Sequence, residues 1–139
     1  MLVLNPPLVK FDTLVWTDVT LVMVDRHGDK VVLERGDLGP HVIFADVPER
    51  RIAIRVTREM LRDDVGSPKP GQQGDLVFYT APGAADGLRR RVRATCVITG
   101  VTHEVGRLRG ALQSILLVAI SSDGAADPIA IEDASDGVV

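Results

Sequence analysis

The chain has 139 residues and a formal net charge of −3. This length supports one domain with a real core and leaves little room for a second. The mild acidity argues against a protein whose whole surface binds nucleic acid, and a single cysteine excludes an intrachain disulfide framework. Hydrophobic residues make up 45% and charged residues 25% of the chain, but aromatics only 4%. The core must therefore be built from Val, Ile, Leu and Ala, with Trp16, Phe44, Phe78 and Tyr79 as rare large side chains. The β-branched excess favours strands, because such side chains pack well on a pleated surface.

Met1–Asp12 contains Asn5-Pro6-Pro7 and reads as an N-terminal arm, with a short edge strand at Leu2–Leu4. Thr13–Val24 alternates with apolar residues on both faces, the pattern of a covered strand. Asp25–Asp29 reads as a turn, with Gly28 free to take a positive φ. Lys30–Glu34 then returns to make a hairpin. Arg35–Pro40 is a second turn; its Arg-Gly-Asp tripeptide is ordinary turn composition. His41–Asp46 is a short strand and Asp46–Glu49 a further turn.

Arg51–Thr57 alternates cleanly, with Ile52, Ile54 and Val56 on one face. Arg58–Asp64 fits a short helical turn or a continuation of that strand. Gly66–Gly74 is the strongest loop signal, Asp75–Thr80 a strand, and Ala81–Leu88 a second long loop. Two β-patterned segments follow, Arg91–His103 and Ala111–Ser121. In the first, Val92, Ala94, Cys96 and Ile98 share a face, so Cys96 reads as a small buried apolar residue. In the second, Ile115–Ile120 is apolar on both faces and reads as a central strand. Residues 123–139 form an acidic tail with a short strand at Ile129–Ile131. Eight or nine strands with closely spaced turns predict a single all-β domain over 1–139, a sandwich or barrel, with a possible short helix near 58–64. The predicted core is Val22, Val24, Ile52, Ile54, Ile98, Leu116 and Val118.

Chemistry is sparse. His27, His41 and His103 lack metal-ligand spacing, and His103 and Glu104 face opposite ways on a strand. There is no nucleophile elbow, phosphate-cradling loop or zinc-protease motif. Asp63-Asp64 has no third oxygen ligand close by. No enzyme activity, cofactor or metal is expected. Met1–Val9 lacks the features of a signal peptide, and no apolar run approaches the ~20 residues of a spanning helix. The one charge cluster is Arg89-Arg90-Arg91 with Arg93. It reads as a solvated strand end, a subunit contact or a phosphate contact.

The run Ala94–Glu104, followed by Arg109–Ala119 and Ser122–Ile129, resembles the C-terminal portion of phage tail-tube proteins. Those proteins share a fold with the needle-tube protein of bacterial secretion systems. The resemblance implies a β subunit that assembles into stacked, hexameric rings around a channel for DNA, made in the host cytoplasm and carried in the virion. It also implies partners among other tail proteins such as sheath, tape measure or baseplate. It carries no catalytic residue. The long hairpin loop that bridges rings in that family has two candidates here, Gly66–Gly74 and Ala81–Leu88. Subunit contacts are expected at Arg89, Arg90, Arg91, Arg93, Pro70, Gly71, Gln72 and the N-terminal arm. Two other roles remain open: a tail terminator or baseplate connector, and a β-barrel binding module for nucleic acid.

Overall fold

Period-two burial dominates the molecule: Val92, Ala94, Cys96 and Ile98 are all buried, as the alternation predicts. The computed structural model describes residues 2–4, 9–16, 18–60, 68–80, 89–106 and 110–134. These form nine strands: β1 (Leu2–Leu4), β2 (Val9–Phe11), β3 (Leu14–Trp16), β4 (Val19–Arg35), β5 (Val42–Met60), β6 (Gln73–Tyr79), β7 (Arg89–Gly106), β8 (Gly110–Ala119) and β9 (Ile129–Ala134).

The strands make one sheet in the order β1-β4-β5-β8-β7-β6-β2-β3, with β9 on β7, and every pairing is antiparallel. Val9, Phe11 and Trp16 from one end of this path share a core cluster with Val22 and Val24 from near the other. The sheet is therefore rolled around a single core. Phe11 and Trp16 stack there, with ring centroids 5.8 Å apart.

The all-β expectation holds. No helix occurs among the described residues: Arg58–Met60 complete β5, and 61–64 lie outside the described residues. Asp18, whose carbonyl accepts from Glu59 N at 3.0 Å, separates β3 from β4 inside the stretch read as one strand.

Three core assignments need correction. Leu116 and Val118 point away from the core, and Ile115 and Leu117 fill it instead. A run that is apolar on both faces carries no alternation to fix which parity faces in. Phe44, expected as a core filler, is exposed, and Phe11 takes that role.

The largest departure concerns residues 25–49. The turns expected at Asp25–Asp29 and Asp46–Glu49 are interior to β4 and β5. These strands run 17 and 19 residues and reverse once, through residues 36–41.

Candidate assembly surface

Only part of the β4–β5 hairpin belongs to the body. β1 covers β4 at Val22–Val24, and β8 covers β5 from Ala53 to Met60. Among the described residues, Arg26–Arg35 and Val42–Ile52 pair only with each other. At ~3.4 Å per residue this is an arm about 30 Å long.

The arm continues the core face of the sheet but changes phase. Past the register shift between Val19 and Leu21, even-numbered residues of both strands face the core: Val22 opposite Val56, Val24 opposite Ile54, then Arg26 opposite Ile52 and Gly28 opposite Arg50. Between Gly28 and Lys30, β4 advances two residues while β5 advances one. Between Lys30 and Val32, β5 advances three residues while β4 advances two. These bulges lie one after the other, one on each strand, and each flips the alternation of its strand. Beyond them odd residues take over the core side. A Cβ placed on Gly28 would lie 2.7 Å from Val47 Cγ1 and 3.8 Å from Val31 Cγ2. Leu33 stands opposite Ala45. Ile43 lies over Gly36, 3.5 Å from where its Cβ would be.

Past the bulges one face of the arm is thus Val31, Leu33, Ile43, Ala45 and Val47, flanked on the same side by Arg50 toward the body and Arg35 toward the tip. Val31, Leu33 and Ile43 are 57%, 49% and 73% exposed. The other face is mixed: Val32 faces Asp46 and Glu34 faces Phe44, while a further register shift between Glu34 and Arg35 sets Arg35, on the Leu33 side of β4, opposite Val42. Leu38 projects fully from the tip.

The bulged region is braced by short-range bonds. Val47 N donates to Asp46 Oδ1 at 2.8 Å, and Arg50 Nε donates to the Val47 carbonyl at 3.0 Å. Pro48, which has no N–H to give a ladder, sits in the bulge where none is needed. Arg51 meets Asp29 at 3.4 Å, and Arg26 at the root meets Asp127 at 3.2 Å. Asp127 belongs to the turn before β9, where it also accepts from Ile129 N at 3.0 Å. That amide bond first, and Arg26 second, hold its carboxyl below the usual carboxylate range.

The arginine cluster begins β7. Arg89 pairs in register with Ala134 of β9. Arg90 N donates to Thr80 Oγ1 at 3.0 Å and its carbonyl accepts from Thr80 N at 2.9 Å. Arg91 Nη2 donates to Glu132 Oε2 on β9, and Arg93 Nη2 to Glu132 Oε1 at 3.2 Å. The Arg91 hydrogen bond, reinforced by its charge and that of Arg93, holds the Glu132 carboxyl below its ordinary value. Two of the four arginines therefore clip β9 to β7 within the chain. Nothing in the cluster's spacing pointed to Glu132, 39 residues beyond Arg93.

Pro70, Gly71 and Gln72 form a type II turn, Pro at its second position and Gly71 at φ +93° in the third. Gln72 N donates to the Lys69 carbonyl at 3.4 Å, and Gln72 Oε1 accepts from Lys69 N at 2.6 Å. Gly71 N donates to the Ile98 carbonyl at 2.7 Å, and Ile98 N to the Gln72 carbonyl at 2.9 Å. The turn is a fixed, solvent-facing corner extending the β6–β7 ladder. The rest of the first loop candidate, 66–67, and the whole second, 81–88, lie outside the described residues.

Among the described residues, no group of three or more His, Cys, Asp or Glu side chains is placed to hold a metal ion. No helix there is long and apolar enough to cross a membrane.

No protein-family model matches the chain, and no curated protein matches it in sequence. Among solved structures it is similar to a chain described as the tail of an empty GTA particle computed with helical refinement in C6 symmetry. The TM-score is 0.51 at 10% identity, covering 91% of this chain and 93% of that one. The chain has an all-β fold like that of this tail chain.

Proposed function

We propose that the chain is a structural subunit of a bacteriophage-type tail: a tail-tube protein whose copies close into hexameric rings and stack around a channel for DNA. The observation that carries this reading is the arm. A body with the fold of a tail chain projects a two-stranded ribbon whose apolar side chains Val31, Leu33 and Ile43 stand exposed. Contiguous exposed apolar surface of this kind marks an interaction site.

Head-to-tail contacts related by rotation close into rings, and a projecting element suits contact with the next ring. The reading assigns the chain no catalytic or cofactor chemistry. It places the protein in the virion, beside tail proteins such as a sheath, tape measure or baseplate component, with DNA passing through without sequence-specific contact. The arm replaces the two polar loops as the bridging hairpin. The internal pairing of Arg91 and Arg93 with Glu132 makes a phosphate-binding role for that cluster less favoured than assembly.

Sedimentation velocity over a concentration series tests the proposal. A discrete oligomer of about six copies, growing into larger species with concentration, is expected. A monomer at every concentration, coupled with salt-sensitive DNA binding, would instead favour a nucleic-acid module.

A further inference from the structure

At the end away from the arm the core closes on a polar row. Val22, Val56, Ile115 and Val101 stand side by side across β4, β5, β8 and β7, and the first three are fully buried. The next row on the same four strands is Val19, Arg58, Gln113 and His103. Val19 and Gln113 are buried, Gln113 completely, so this row also lies on the core side. Gln113 Nε2 is 3.1 Å from His103 Nε2. An amide nitrogen can only donate, so the ring accepts there and carries its own N–H at Nδ1. Arg58 and His103, either side of Gln113, are half-buried. Arg58 Nε is buried with no hydrogen-bond partner among the described residues. No carboxylate among them pairs with this guanidinium. The acids that follow in the ladder, Glu59 and Glu104, stand either side of Leu112 on the opposite face of the sheet.

A charged donor taken out of water without an acceptor loses hydration and gains nothing in return. We infer that Arg58 and His103 form a seat for a carboxylate at this end of the core, with Gln113 holding the imidazole in place. Three features select that ligand. The planar fork of a guanidinium matches the two oxygens of a carboxylate. With the imidazole neutral, as its acceptor role requires, the row carries a single positive charge. That balances a monoanion, while Glu59 and Glu104 behind the sheet disfavour a dianion. Finally, the bond from Gln113 commits His103 Nε2 and leaves Nδ1–H as the ring's donor to a ligand. The inference does not depend on the tail-subunit reading. The carboxylate is that of a small free acid or of an acidic side chain on another protein chain.

The test is thermal melting of the full chain, Arg58→Met and Arg55→Met, at a dilution where sedimentation velocity shows single chains. Arg55 is an exposed arginine on the opposite face of β5 and controls for general anion effects. Sodium acetate is compared with sodium chloride and sodium sulfate at equal ionic strength. In chloride, Arg58→Met should melt at or above the parent, because it removes a desolvated charge. Acetate should raise the melting temperature of the parent and of Arg55→Met along a saturating curve, as a ligand of the folded state does. Arg58→Met should shift that curve to higher acetate by about tenfold or more, the scale of one charged hydrogen bond.

No saturating rise in the parent, or the same rise in Arg58→Met, overturns the inference. So does a marked loss of stability by Arg58→Met in chloride, which would make Arg58 a structural residue. An equal Arg58-dependent rise in sulfate overturns the choice of a carboxylate. Where the seat is confirmed, sedimentation at higher concentration separates the two sources. Acetate and Arg58→Met should both weaken association if the carboxylate belongs to a second copy, and neither should if it is a free acid.

Discussion

Val47 lies across Gly28 so closely that a Cβ at position 28 would come within 2.7 Å of Val47 Cγ1. This is the point where β4 and β5 both change phase, and the absent side chain lets the bulged strands pass. Gly28→Ala should force Val47 aside and cost about 1 kcal/mol, the low end of overpacking, because the site is near the surface and can relax. Hydrogen exchange should show faster amides at 30–34 and 43–47 in this variant, with those of β7 and β8 unchanged. Unchanged protection in the arm would mean that the crossing does not position it.

Ile115 and Leu116 are neighbours with opposite fates, the first fully buried and the second 36% exposed. Ile115→Ala should cost about 2–5 kcal/mol, through lost burial and the cavity left behind. Leu116→Ala should cost less than about 1 kcal/mol in the isolated subunit, since a half-exposed face leaves no closed cavity. Urea unfolding of the two variants checks the assignment of parity on β8, and equal losses would contradict it.

Glu132 gives a pH signature. Its carboxyl is lowered in the fold, first by the hydrogen bond from Arg91. The clip between β9 and β7 is then fully present above about 4.5, the ordinary value. It is lost as the pH falls through the lowered folded-state value, because the unfolded chain takes up the proton more readily. Glu132→Gln should remove this dependence and speed amide exchange at 129–132, while changing global stability little, as expected for a partly exposed pair. An exchange profile at β9 that is the same in both proteins at neutral pH would mean the clip has no role in holding the strand.

Cys96 is fully buried, and that burial, with the negative charge of Asp75 second, pushes its thiol up to about 12. At pH 8 roughly one molecule in ten thousand then carries the reactive thiolate. A disulfide reagent should label the folded protein at the rate of its opening and the urea-unfolded protein within seconds. Immediate labelling of the folded chain would show that the β6–β7 sheet admits solvent.

The strands and the first half of the inner face of β7 are legible from the sequence because alternation there is unbroken: Val92, Ala94, Cys96 and Ile98 hold one parity up to the register shift between Ile98 and Gly100. The arm is not legible, for a physical reason. A bulge on each strand flips the alternation at Asp29 and near Val47–Pro48, and an alternation that breaks beside Gly or Pro has the composition of a turn. Two long strands therefore look like four short ones. The apolar face of the arm did leave a trace, since Val31, Leu33 and Ile43 are apolar residues in segments too polar to be a core. Glu132 had no local signal, because its pairing with Arg91 depends on the register of a strand some forty residues away.

The measurement that tests the central claim most directly is negative-stain electron microscopy of the purified parent chain across a concentration series. Six-fold rings with a central hole, stacking into tubes as concentration rises, are the predicted images. A uniform field of single small particles at every concentration would contradict a self-assembling tail-tube subunit.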